Sequence, residues 1–335
     1  MTDNALALAL PPPTAALEVP PQATERPASQ HPVTVYLASL SEASKRPQRH
    51  ALDTAAAILT SGHVEDALAV EWSDLRYQHV QVLRARLSDD VQAERLAPAT
   101  ANRVLSAVRR VLLEAWRLGQ MTQEDYARAV DVKTVQGERL PAGRYVDEGE
   151  RRALWAICAK DTTPAGRRDA ALLGVLYAGG LRRAEVAALI LDDYNATEGS
   201  LHVRHGKRNK ERLTYLEGGA AAYLADWLRV RGDWPGSLFT PVTPGGGILR
   251  RPLSTTAIYA VLERRAHEAG ILTLTPHDCR RSFVSDLLES GADLSVAAGL
   301  AGHAKTDTTR RYDRRPEAAK QAAVRRLHVP YIGKR

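Results

Sequence analysis

Cysteine is scarce in this chain: two residues, Cys158 and Cys279, among 335. That number excludes a disulfide framework and the paired cysteine spacing of a zinc site. Cys158 lies in the apolar stretch Ala153-Leu154-Trp155-Ala156-Ile157, where a small buried hydrophobe is expected. Long apolar runs are missing as well, and none nears the roughly 20 residues that a membrane span needs. The run from Ala5 to Leu10 is too short for a signal core and has no basic flank. No internal repeat is visible. These absences point to a soluble, cytoplasmic chain with no membrane partner.

Surplus charge is small too. Lys and Arg total 46 against 39 Asp and Glu, a formal net charge of +7. Such a balance is only a weak pointer to a polyanionic partner. Its distribution says more, because basic residues cluster in Arg204–Arg212, at Arg280-Arg281, and at Arg310-Arg311 with Arg314-Arg315. Any one cluster reads most simply as a solvated face.

The length suits two domains, each able to bury a core. Residues 1–32 hold seven of the eighteen prolines and no apolar period, so they are expected to be a disordered leader. Residues 33–132 read as helical throughout. Helices are expected near Val33–Leu40 and from Arg46 to Leu59. A third carries Leu75, Val82, Leu83 and Leu87. A fourth is capped by Thr100-Ala101-Asn102, and a fifth starts at Thr122. Residues 133–144 break the periodicity with Gly and Pro and form the expected linker. Residues 145–327 open with helices over 147–160, 166–178 and 182–189. Strands follow at Leu201–Arg204 and Arg212–Leu216 around the turn Gly206–Lys210, with Leu238–Thr240 as a third. Helices resume at 254–269, 276–290, 296–300 and 316–327, before a tail at 328–335. The fold class is mainly α with a small antiparallel β-sheet.

Four segments of this second domain carry chemistry together. Tyr177–Glu185 sets Arg182 at a helix start with Glu185 three residues on, and Gly206–Arg212 sets Lys207 in the hairpin turn. Pro276–Phe283 sets His277 and Arg280 three apart on one helical face. Leu300-Ala301-Gly302-His303 is followed nine residues later by Tyr312. In their order and spacing these segments resemble the tyrosine site-specific recombinases, the phage-type integrases among them. The resemblance runs from about residue 33 to 327. It implies a helical core-binding (SAM-like) N-terminal domain ahead of an α+β catalytic domain.

What the resemblance implies can be set beside what the chemistry needs. Strand exchange needs a covalent intermediate that conserves the energy of the broken phosphodiester, and a protein nucleophile supplies it without metal, nucleotide or other cofactor. Tyr312 takes that place, giving a 3′-phosphotyrosine. Arg182 and Arg280 form the guanidinium clamp on the non-bridging oxygens. Arg183 and Arg281 stand beside each, but Arg281 is turned about 100° from the His277 face. Lys207 is the general acid for the leaving 5′ oxygen, with Lys210 as its competitor. Of His277 and His303, one assists the Tyr proton and the other bonds a phosphate oxygen or orients neighbours. Glu185 buttresses the clamp.

Arg208, Lys210, Arg212, Arg281 and, in the helical domain, Arg103 are the expected DNA contacts, although arginines on helix faces are as readily solvated. The chain departs from the family pattern at Arg281, Cys279 and Arg208, which touches local packing rather than chemistry. The implied partners are duplex DNA with a specific core site, clasped between the two domains, and three further copies in a tetramer. An accessory DNA-bending protein stays open, as does whether the Ala-rich face of 316–327 docks in cis or on a neighbour. A type IB topoisomerase shares the chemistry, and a silent DNA-binding regulator shares the fold; the separate helical domain and the intact site stand against them.

Overall fold

The computed structural model describes residues 27–137, 143–204, 211–303, 306–313 and residue 324. They fall into two compact units that divide between residues 140 and 141. The first unit contains Pro32–Ala38 (α1), Glu42–Leu59 (α2), Tyr77–Gln92 (α3), Pro98–Arg117 (α4) and Gln123–Val130 (α5). On α4, Val104, Leu105, Val108, Val111, Leu112 and Ala115 recur at helical spacing and are all buried. That stripe makes α4 the centre, in contact with each of the other four helices. Trp72, fully buried, donates its indole N–H to the Ala67 carbonyl at 2.7 Å, so burying the ring leaves no polar atom unpaired.

Several element boundaries differ from the sequence expectation, each for a local reason. α4 starts at Pro98 rather than at a Thr100 cap, because the fixed φ and missing N–H of proline suit the first helical position. α2 starts at Glu42 and carries Pro47 within its second turn. Leu75 caps a 3-10 turn at Trp72–Asp74 and precedes α3. The end of the presumed leader is ordered: Ala28–Gln30 is a 3-10 turn, Pro32 opens α1, and Gln120 donates to the Gln30 carbonyl at 2.6 Å. Residues 1–26 lie outside the described residues.

The linker expected at 133–144 is docked at its first end. Arg84 donates to the Lys133 carbonyl at 3.0 Å, and Asn102 pairs with the Val135 N–H and carbonyl, both at 2.9 Å. Residues 138–142 lie outside the described residues.

The second unit is mostly helical, with a small sheet. Its helices are Glu148–Lys160 (α6), Pro164–Ala178 (α7), Arg183–Ala188 (α8), Gly218–Arg231 (α9), Thr255–Glu268 (α10), Pro276–Glu289 (α11), Leu294–Ala301 (α12) and Thr306–Arg310 (α13). The sheet is Tyr194–Asn195 (β1), Ser200–Val203 (β2) and Arg212–Tyr215 (β3), antiparallel in that order, with Ser200 opposite Tyr215 and Val203 opposite Arg212. Leu238–Thr240 is not the third strand. It is buried, and single backbone bonds hold it, from Leu238 N–H to the Leu189 carbonyl and from Leu253 N–H to the Phe239 carbonyl. The expected helix 316–327 and the tail 328–335 are likewise outside the described residues, apart from Val324.

α7 is buried on nearly every side from Gly166 to Leu176, which makes it the central helix of this unit. It packs on α6, α9 and α11. Its Asp169, fully buried, accepts from Arg168, from Arg264 at 2.6 Å and from Arg265 at 2.9 Å, which ties α10 to α7. A buried carboxylate is tolerable only when its lone pairs are met in this way.

α9 is the element that sequence reading misses. It opens on Gly218-Gly219, and its buried face is only Leu224, Trp227 and Arg231, so the apolar period is weak. It is held by proximity instead, with Gly174 of α7 facing Ala220. A Cβ built at Gly174 lies 3.3 Å from the Ala220 Cα. Gly174→Leu is therefore expected to force α7 and α9 apart and destabilise the second unit by about 1–3 kcal/mol. Calorimetry should show the transition of the second unit falling while that of the first holds; an unmoved second transition would contradict the close crossing.

Candidate active site

The site is built around the start of α11 and the end of α12. Thr275 caps α11, its hydroxyl accepting from the Asp278 N–H at 3.3 Å while the Asp278 carboxylate accepts from the Thr275 N–H at 2.7 Å. Pro276 follows at the first helical position. His277 and Arg280 come one turn apart and line one open cavity of about 300 Å³, together with Arg182. The shared face expected from their spacing is present.

The end of α12 organises three arginines. Its last carbonyls, unpaired within the helix, would otherwise need water. Leu300 O accepts from Arg212 Nε at 2.9 Å, Ala301 O accepts from Arg280 Nη2, and Gly302 O accepts from Arg182 Nη2 at 3.0 Å. Three consecutive carbonyls thus hold three guanidiniums, at a helix end whose partial negative charge favours cations. Gly302 turns the chain out of α12 with φ of 62°. A Cβ there would meet the Arg212 guanidinium at 2.9 Å, so glycine satisfies both the left-handed backbone and the close approach.

Glu185 closes the set from the other side. It is buried, and it accepts from Arg182 Nη1 at 2.6 Å and Arg182 N–H at 2.8 Å. Arg212 reaches both of its oxygens, at 3.1 and 2.7 Å. Burial alone would raise the Glu185 carboxyl, but the bonds from Arg212 and Arg182 outweigh it and hold the group below the ordinary carboxylate range. Arg280 is buried and donates also to the Gly180 carbonyl at 2.6 Å. Burial first, and then the charge of Arg182, push its guanidinium down to about 9, while Glu185 and Tyr312 pull it up. It stays charged at neutral pH, in a position where an incoming anion would relieve the strain of its charge.

Past Gly302 the chain delivers His303 and then Tyr312. His303 Nδ1 is 2.8 Å from the Thr309 hydroxyl, and its ring stacks on Tyr312 with centroids 5.8 Å apart. Burial, followed by Arg280, Arg182 and Arg212, pushes this imidazole down to about 4. Tyr312 is 8 % exposed. Its hydroxyl lies 3.4 Å from His277 Nε2, and its carbonyl accepts from Ser285 of α11 at 2.8 Å. Among the described residues no cluster of His, Cys, Asp or Glu is arranged to hold a metal ion.

Of the expected residues, Arg182, Glu185, His277, Arg280, His303 and Tyr312 are therefore assembled in one place. Arg212, expected among the DNA contacts, stands with them. Its side chain is 9 % exposed, and it donates to Glu185 and to the Leu300 carbonyl. Arg281 donates to the Gly143 carbonyl at 2.6 Å, clipping the start of the second unit to α11. Arg103 is exposed on α4 of the first unit. Lys207, Arg208 and Lys210 lie outside the described residues. Sequence reading missed Thr309 and Ser285, although Thr308-Thr309 immediately upstream of Arg310-Arg311-Tyr312 offered a signal for the first.

Comparison with known proteins identifies the family. The model of the phage integrase family matches residues 144–318. Tyrosine recombinase XerD of Caulobacter vibrioides is 34 % identical over 299 residues, covering 87 % of this chain and 88 % of that protein. XerD of Mycobacterium leprae is 34 % identical over 273 residues, covering 76 % and 81 %. XerC of Proteus mirabilis is 32 % identical over 247 residues, covering 72 % and 75 %. In fold, the chain is similar to the Tn1549 transposon integrase in complex with transposon right end DNA, with a TM-score of 0.65 at 12 % identity over 89 % of this chain and 98 % of that one. It is also similar to a lambda integrase dimer bound to a core site, with a TM-score of 0.60 at 15 % identity over 88 % and 94 %. With the family model spanning half the chain and these relatives most of it, the chain belongs to the phage integrase family and is a tyrosine recombinase.

Proposed function

We propose that this chain carries out site-specific DNA recombination by transesterification through Tyr312. One observation carries the reading: the hydroxyl of a buried tyrosine faces one imidazole while its ring stacks on another, next to guanidiniums pinned on helix-end carbonyls. Tyr312 Oη attacks the scissile phosphorus, the bond from phosphorus to the 5′ oxygen breaks, and a 3′-phosphotyrosine remains. His277, whose Nε2 faces the hydroxyl, takes the phenolic proton. Arg182 and Arg280 each have five N–H donors, and two on each carry the contacts described. The others meet the charge that grows on the non-bridging oxygens.

His303 complements them as a neutral donor. With Thr309 giving its hydroxyl proton to Nδ1, the Nε2–H is left to bond a phosphate oxygen. Glu185 and Arg212 position the clamp. Lys207, by its place in the family pattern, protonates the leaving 5′ oxygen. The substrate is duplex DNA carrying a core site, and four copies act on two duplexes. The helical unit, residues 33–132, adds backbone contacts such as Arg103, which make binding steeply dependent on salt.

Fragmented genomic DNA of the source organism, incubated with the protein and denatured, should yield covalent adducts whose sequences share one core site. Tyr312→Phe should give none; adducts that persist in that variant would remove Tyr312 as the nucleophile. The displaced imidazole makes a second test. Unfolded His303 takes its proton near the ordinary 6.5, and the folded ring only near about 4. Its contribution is therefore intact above 6.5 and lost as pH falls from about 6.5 toward 4. His303→Gln should flatten that part of the denaturant-measured stability profile; an unchanged slope would mean that the ring is not held neutral by its neighbours.

A further inference from the structure

Arg183 follows Arg182 at the first position of α8 and takes no part in the set around Glu185. It is exposed, and its guanidinium carbon stands 6.0 Å from the centroid of the Tyr259 ring on α10. Both residues line the same cavity as Arg182, His277 and Arg280. Among the described residues, no carboxylate lies within ion-pair distance of Arg183, whereas Arg182 and Arg212 share Glu185. Three guanidiniums therefore wall one cavity, and among the described residues the third donates to no carboxylate and no carbonyl. A guanidinium resting on an aromatic face keeps its edge N–H donors for an acceptor in its own plane, and phosphate oxygens match that fork.

We propose that Arg183, carried on the Tyr259 ring, binds the DNA phosphate next to the scissile one on the same strand. It rests on the recombinase reading above. The scissile phosphate itself belongs to Arg182 and Arg280, whose donors converge beside Tyr312. Arg183 sits at the α10 wall of the cavity, where the strand continues. A second phosphate held there sets the register in which the scissile phosphorus meets Tyr312 Oη, so Arg183 is a binding and positioning residue with no proton to move.

The test uses the full chain and nicked duplexes of the captured core site, each with one neutral methylphosphonate at a phosphate flanking the cleavage point. On unmodified DNA, Arg183→Ala should weaken binding by about tenfold and reduce the salt slope by about one. On one of the modified duplexes that loss should vanish, because the partner charge is already gone. Tyr259→Leu should lose part of the same affinity, and Tyr259→Phe should recover it. Binding equal to wild type, or a loss of equal size on every modified duplex, overturns the assignment while adduct formation at Tyr312 keeps the recombinase reading. Failure to capture any adduct overturns that reading, and the role of Arg183 with it.

Discussion

Three successive carbonyls at the end of α12 each take a different arginine, and Glu185 takes two of those arginines again from the opposite side. Like charges this close repel, and burial makes the repulsion worse. A helix end and one buried carboxylate let Arg182, Arg212 and Arg280 stand together. The rest of the site follows from that arrangement. The same turn that presents the carbonyls passes through Gly302 and sends out His303, so the clamp and the imidazole share one backbone. Burial first, and then the positive field that the carbonyls hold in place, keep His303 neutral.

α11 connects this centre to the remainder of the unit. Its first turn supplies His277 and Arg280, and Ser285 two turns on holds the Tyr312 carbonyl. Along another stripe, Asp278 accepts from the Arg144 N–H at 2.7 Å, Ser282 from the Val146 N–H at 2.8 Å and Asp286 from the Tyr145 hydroxyl at 2.6 Å. Positions four apart recur on one helical face, so the segment that enters the unit is fastened side by side along the helix that bears the clamp. Asp169 and its arginines do the same work for α10, whose Tyr259 faces the cavity.

Much of this was legible in the residues. The helices expected to begin at Asp147, Thr122 and Ser254 do begin there, each of those side chains accepting from a first-turn N–H. The strands flanking the hairpin turn, and the spacing of His277 and Arg280, are as the sequence pattern places them. α9 escaped because a helix packed through glycine and alanine has no strong apolar stripe to read. Leu238–Thr240 looked like a strand because a short buried apolar run has the composition of one, whereas its backbone bends at Leu238 and Phe239. The contact of Arg212 with Glu185 was not legible, because a basic run shows charge and not direction.

By itself the sequence determined which chemical groups are available and on which kind of element each one sits: an arginine before a short helix, a histidine and an arginine one turn apart, a glycine and histidine at a helix end, a tyrosine nine residues beyond. These are local relations, set by backbone periodicity and capping chemistry. Tertiary structure alone decided which arginines share a carboxylate, which carbonyls receive them and which imidazole faces the tyrosine hydroxyl. Those contacts join positions as far apart as Arg182 and Gly302, and no periodicity runs across such distances; they exist only once the helices pack.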